Sequence, residues 1–200
     1  MKAIFIDKDG TLIRDVPYNV DPEKIELYPD TGEALHRLQS AGYQLIVISN
    51  QAGVARGYFD ETALPGVEAR LQELLSPFGV KLNGFYYCPH HPAGSVPAYA
   101  ITCDCRKPEP GMIIRAAREQ GIDPSDSWMI GDILNDVEAG NRAGCRTILI
   151  DNGNETEWLP GLFRTPTYTA ASLTQAADWI SQHPLTDSPA EPTTAFINPA

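Results

Sequence analysis

Five β-rich apolar runs, at residues 2–6, 43–48, 84–88, 127–130 and 146–150, alternate along this chain with segments whose apolar residues recur at helical spacing. Short, continuously apolar strands suit burial on both faces, and a strand–helix–strand rhythm leads to a parallel sheet covered by helices on both sides. Ala34, Leu35, Leu38 and Ala41 outline one helix, which Asp30 or Thr31 can cap and Gly42 can end. Leu71, Leu74 and Leu75 mark a second, starting near Pro65-Gly66. Ile113, Ile114 and Ala117, then Val137, Ala139, Gly140 and Ala143, supply the apolar faces of two more. The expected fold is α/β and Rossmann-like. With 200 residues and 42% hydrophobic composition, one compact domain over 1–182 is expected. Residues 183–200, with Pro184, Pro189, Pro192 and Pro199 and no Lys or Arg, read as a disordered tail.

A formal charge of −11 disfavours nucleic acid and anionic membrane as partners, since both need a basic footprint. The apolar run before Asp7 is too short for a signal peptide, and no stretch has the length of a membrane span, so a cytoplasmic location is expected. In a reducing compartment cysteines serve as metal ligands or core residues rather than disulfides. Without a heptad or an evident apolar docking surface, the chain reads as a monomer.

Asp7-Lys8-Asp9-Gly10-Thr11 follows the first apolar run, which places two carboxylates at the end of a buried strand, where α/β sheets build their sites. One can attack phosphorus, and the second, two residues later, can handle the leaving-group proton and share a cation. A calcium loop would require Gly and Glu where the chain has Leu12 and Tyr18. The second strand ends in Ser49-Asn50-Gln51, whose hydroxyl, amides and backbone N–H groups can bind phosphate oxygens. Arg106 and Lys107 can grip and neutralise a phosphoryl group. The fourth strand delivers Asp132, with Asp136 four residues later on the same helical face. Two carboxylates about 4 Å apart repel by roughly 4 kcal/mol at an effective dielectric near 20, so Asp7, Asp9 and Asp132 together call for a cation, and oxygen ligands suit Mg2+.

Residues 89–110 break the rhythm and read as an inserted loop. Cys88-Pro89-His90 and Cys103-Asp104-Cys105 bracket it with three thiolates and one imidazole, a closed tetrahedral set for structural Zn2+. His91 is the less suited histidine. Cys145 reads as a core thiol.

The order of D-x-D-G-T, strand-end Ser-Asn, Lys107 and Gly131-Asp132 resembles the four motifs of the haloacid dehalogenase (HAD) superfamily of phosphatases. The stretches 50–57, 88–96 and 103–108 are similar to its zinc-loop family of heptose bisphosphate phosphatases. That resemblance implies a minimal cap with the zinc loop at about 88–107, a phosphorylated sugar as substrate, Mg2+ as catalytic cofactor and Zn2+ as structural ion. It implies Asp7 as nucleophile, Asp9 as acid/base, Ser49 and Lys107 as phosphoryl stabilisers and Arg106 in substrate recognition. Asp15 and Tyr18 fall in a segment similar to one lining a sugar site, and Asn50, Gln51 and Arg56 belong to the same expected surface. Histidinol-phosphate phosphatases share C-x-H and C-x-C-R-K-P, but typically with a shorter loop. A phospho-acceptor switch and a zinc-stapled interaction module are alternatives of another kind; neither needs Asp9. Ile133 stands where some heptose enzymes carry Lys.

Overall fold

The structure is a computed structural model that describes residues 1–184. Six strands form one sheet: β1 (Ala3–Ile6), β2 (Gln44–Asn50), β3 (Gly84–Cys88), β4 (Trp128–Gly131), β5 (Arg146–Ile150) and β6 (Tyr168–Ala170). Their order is β3-β2-β1-β4-β5-β6, and every neighbouring pair is parallel. Phe5 pairs with Ile46 on one side and Met129 on the other, so β1 is central.

Alternation along the central strands explains the two cores. Ile4, Ile6, Leu45, Val47, Trp128 and Ile130 enter one, packed with α1 (Thr31–Ser40), α2 (Leu64–Leu75) and α5 (Leu173–Gln182). Ala3, Phe5, Ile46, Ile48 and Met129 enter the other, with α3 (Gly111–Gln120) and α4 (Leu134–Ala143). Helices thus cover both faces, as the apolar pattern predicts. The Asp30 carboxylate accepts from Thr174 N at 2.9 Å, so it serves the first turn of α5 rather than its own helix α1.

Three details differ from expectation. Ile114 is half exposed, and Met112, Ile113, Ala116 and Ala117 form the buried face of α3. The second helix begins at Leu64, with proline in its first turn. Strand β6 and helix α5 extend the sheet beyond the five anticipated strands. All but the first two residues of the expected tail lie outside the described residues.

The chain runs outward through β2 and β3, then returns past β1 to β4. The reversal opens a crevice at the carboxyl ends of β1 and β4, the place where sheets of this kind bind ligands. Among the described residues, no helix is long and apolar enough to cross a membrane.

Candidate active site

Both aspartates of the first motif emerge at that crevice. Asp7 N donates to Ile130 O at 2.9 Å, tying the end of β1 to β4. Gly10 then turns the chain with φ +85°, and a Cβ there would collide with the carboxylate of Asp132. Glycine is required on both counts. The Asp9 carboxylate faces Lys8 Nζ at 2.5 Å and Gln51 Nε2 at 3.4 Å.

Lys107 arrives from the loop that precedes α3 and is buried. Its Nζ donates to the Asp7 carboxylate and to Ile48 O at 2.9 Å, and lies 2.6 Å from Asp136 Oδ1. Burial works against the ammonium charge, but Asp136 and Asp7 outweigh it and hold Lys107 protonated well above the usual lysine range. Asn50 fixes the backbone of Lys107 through a reciprocal pair of hydrogen bonds. Ser49 Oγ accepts from Gln51 Nε2 at 2.7 Å, which leaves the serine's own proton to be directed at an anion.

Asp7, Asp132 and Asp136 bring carboxylate oxygens within 4.8 Å of one another. Burial pushes Asp7 well up, against the pull of Lys107, and the other aspartates push it further. Burial, then the Asp136 charge, push Asp132 up to about 6, against hydrogen bonds from Asn154 and Thr11. Three buried carboxylates beside a single ammonium leave an excess of negative charge that a divalent cation would balance, so an all-oxygen Mg2+ site fits these residues. Asp136 belongs to this cluster. The Asp9 carboxylate, expected to share the cation, is turned to Lys8 and Gln51 and lies outside it.

Two cavities adjoin at Asp9, Asp15 and Asn50, each of about 290 Å³. One is floored by Asp7, Lys107 and Asp132 and walled by Ile133 and Asn154. The other is lined by Pro17, Tyr18, Asn19 and Gln51 to Gly53. Tyr18 holds a left-handed φ of 56° and packs edge-on against Tyr58, ring centres 4.7 Å apart. Of the expected residues, Asp7, Asp9, Asp15, Tyr18, Asn50, Gln51, Lys107 and Asp132 therefore line one continuous cleft. Ser49, Arg56 and Arg106 line neither cavity. Arg56 Nη2 lies 3.3 Å from His91 Nε2, and Arg106 donates to His90 O at 3.4 Å. Burial lowers the Arg106 pKa, against the charges of Cys88 and Cys103.

Sequence reading missed Thr11, whose Oγ1 donates to Asp132 Oδ1 at 3.1 Å, and Asn154, whose Nδ2 donates to Asp132 Oδ2 at 2.7 Å. The signal for Asn154 was its place just past β5, another strand end at the same edge.

At the end of β3 and in the loop after it, Cys88, His90, Cys103 and Cys105 converge. The Cys105 sulfur lies 3.0 Å from that of Cys88 and 3.2 Å from that of Cys103, too far for a disulfide, and 3.4 Å from His90 Nδ1. Hydrogen bonding with Cys88 draws Cys105 down to about 5, against burial. Convergent thiols with one already biased to thiolate suit Zn2+. Cys105 stands two residues before Lys107, so the shape of this loop bears directly on the lysine.

The HAD-hydrolase-like family matches residues 104–176. The D-glycero-beta-D-manno-heptose-1,7-bisphosphate 7-phosphatase of Pasteurella multocida is 42% identical over 153 residues, which cover 76% of this chain and 83% of that protein. The protein of the same name from Escherichia coli K12 is 36% identical over 178 residues, covering 89% of this chain and 87% of that one. A crystal structure of D,D-heptose 1,7-bisphosphate phosphatase from B. bronchiseptica, complexed with magnesium and phosphate, superposes with a TM-score of 0.78 at 30% identity, covering 92% of this chain and 99% of that one. Fold and site together are those of a HAD-type α/β hydrolase. Within that class the chain belongs to the D-glycero-beta-D-manno-heptose-1,7-bisphosphate 7-phosphatase family, whose members are phosphoric monoester hydrolases.

Proposed function

We propose that this enzyme removes the 7-phosphate of D-glycero-β-D-manno-heptose 1,7-bisphosphate, in the supply of nucleotide-activated heptose. The observation that carries the reading is the shared wall of Asp9, Asp15 and Asn50: a phosphoryl group can rest against Asp7 and Lys107 while the sugar occupies the neighbouring cavity. The β anomer is favoured by the names of the similar enzymes.

In the first step an Asp7 oxygen attacks phosphorus, the bond from phosphorus to the sugar oxygen breaks, and Asp9 donates its proton to that oxygen. In the second, Asp9 takes a proton from water as the water attacks the aspartyl phosphate, which frees Asp7 and inorganic phosphate. Lys107 stabilises charge on the phosphoryl oxygens, and Ser49 and the backbone beside it add hydrogen bonds. Asp7 and Asp132 would hold Mg2+, which would supply further neutralisation of the phosphoryl group. Gln51 steadies Asp9 from the sugar side. Arg56 and Arg106, beside His91 and His90, offer positive charge to the distal part of a bisphosphate substrate.

Zn2+ at Cys88, His90, Cys103 and Cys105 is structural, because four protein ligands leave no open position. Residues 1–182 act as one catalytic domain, monomeric and cytoplasmic, with no nucleic-acid or membrane partner. The test is Mg2+-dependent phosphate release from both heptose 1,7-bisphosphate anomers and from histidinol phosphate. The reading requires the highest kcat/KM on the β anomer; a preference for histidinol phosphate overturns it.

A further inference from the structure

Past β5 the chain continues Asp151-Asn152-Gly153-Asn154-Glu155, a segment outside every motif discussed above. Three of its side chains bind it to catalytic elements. Asn152 Nδ2 donates to Gly10 O at 2.7 Å, on the turn between Asp9 and Thr11. Asn154 Nδ2 donates to Asp132 Oδ2 at 2.7 Å. Glu155 Oε2 accepts from Leu134 N at 2.7 Å, at the start of the helix that carries Asp136. Asn154 is thus held on both sides, and it forms part of the wall of the catalytic cavity.

The consequence falls on Asp132. Its Oδ1 accepts from Thr11 and its Oδ2 from Asn154, so donors from two separate segments fix the carboxylate against rotation. Each oxygen keeps a lone pair for a cation. The amide suits this task because it donates without adding charge: a carboxylate would deepen the repulsion among Asp7, Asp132 and Asp136, and an ammonium would compete with the cation for their charge. Hydrogen bonds that orient a ligating carboxylate contribute measurably to metal affinity.

We propose that Asn154 is a positioning residue that sets the Asp132 carboxylate for its divalent cation. This rests on the reading of Asp7 and Asp132 as the cation site, and not on the identity of the sugar.

The test uses Mn2+ as probe, titrated by calorimetry into zinc-loaded, magnesium-free protein, together with the Mg2+ dependence of the thermal midpoint. Asn154→Ala should weaken Mn2+ binding about tenfold or more and shift the Mg2+ midpoint of thermal stabilisation by a similar factor. At saturating Mg2+ its KM should stay near wild type. Asn152→Ala removes a loop anchor but leaves the bond to Asp132, and should bind Mn2+ nearly as the wild type does. Unchanged affinity in Asn154→Ala overturns the proposal, and so does an equal loss in both variants, which would assign the effect to the loop as a whole. Asp132→Asn serves as control: if it binds Mn2+ as tightly as wild type, the cation site itself is elsewhere. No sugar enters the binding measurement, so it stands whatever the substrate assay returns.

Discussion

Asn50 and Lys107 bond to each other twice: the Asn50 amide donates to Lys107 O at 3.1 Å and accepts from Lys107 N at 3.0 Å. An amide carries its donor and its acceptor on separate atoms, so it can bond a backbone N–H and a backbone C=O of the same residue at once. The pair joins the end of β2 to the end of the zinc loop and sets the lysine's starting point. Asn50→Ala is expected to lower unfolding free energy by about 1–3 kcal/mol and to depress kcat more than it raises KM. Steady-state kinetics with a denaturant titration check this; a wild-type kcat would contradict it.

Lys107 sits between two acids, and Asp136 is fully buried. Removing the ammonium strands that carboxylate, so Lys107→Ala should cost about 3–5 kcal/mol of stability as well as activity. Adding Asp136→Asn should recover most of the stability and little of the activity. A double-mutant cycle on unfolding free energy measures the coupling, and additivity of the two changes would deny it.

Cys103 and Cys105 stand four and two residues before Lys107, in the loop that delivers the lysine. Metal analysis should find a single zinc per chain, and Cys103→Ala should lose it along with thermal stability, because structural zinc binding is part of the folding free energy. Cys145→Ala should retain its zinc. Full zinc content in Cys103→Ala would remove that residue from the ligand set.

Burial pushes the Cys145 thiol from 9.0 up to about 12, and the charge of Asp123 adds to this. The folded state therefore holds the proton more tightly than the unfolded state. The stabilising contribution is complete below pH 9 and is lost as pH rises from there toward about 12, at up to about 1.4 kcal/mol per pH unit. Between pH 8 and 10.5 wild type should lose more stability than Cys145→Ala, a comparison that cancels the other alkaline titrations. Parallel curves would contradict the shift.

Much of the cleft was legible because its parts lie at strand ends: Asp7, Asn50, Gln51 and Asp132 each end a run of apolar residues. Lys107 was legible through its place after Cys105. Other contacts join residues far apart in the chain, as Thr11 does with Asp132 and Lys107 with Asp136, and spacing along a sequence carries no record of them. The direction of Asp9 was hidden for a related reason, since it depends on the buried Lys8 between the two aspartates. Strand β6 escaped because Tyr168-Thr169-Ala170 is short and has little apolar character, although Leu173, Ala176, Ala177 and Ile180 after it carry a helical period.

The proposed mechanism turns on transfer of the phosphoryl group to Asp7. Asp9→Asn, which should slow both steps and expose the intermediate, is mixed with heptose 1,7-bisphosphate and Mg2+, quenched in acid and mapped by peptide mass spectrometry, with Asp7→Asn as control. The expected result is one added phosphoryl group on the peptide bearing Asp7, labile to hydroxylamine, and no turnover in Asp7→Asn. A phosphoryl group on another residue, or near-wild-type phosphate release by Asp7→Asn, would contradict it.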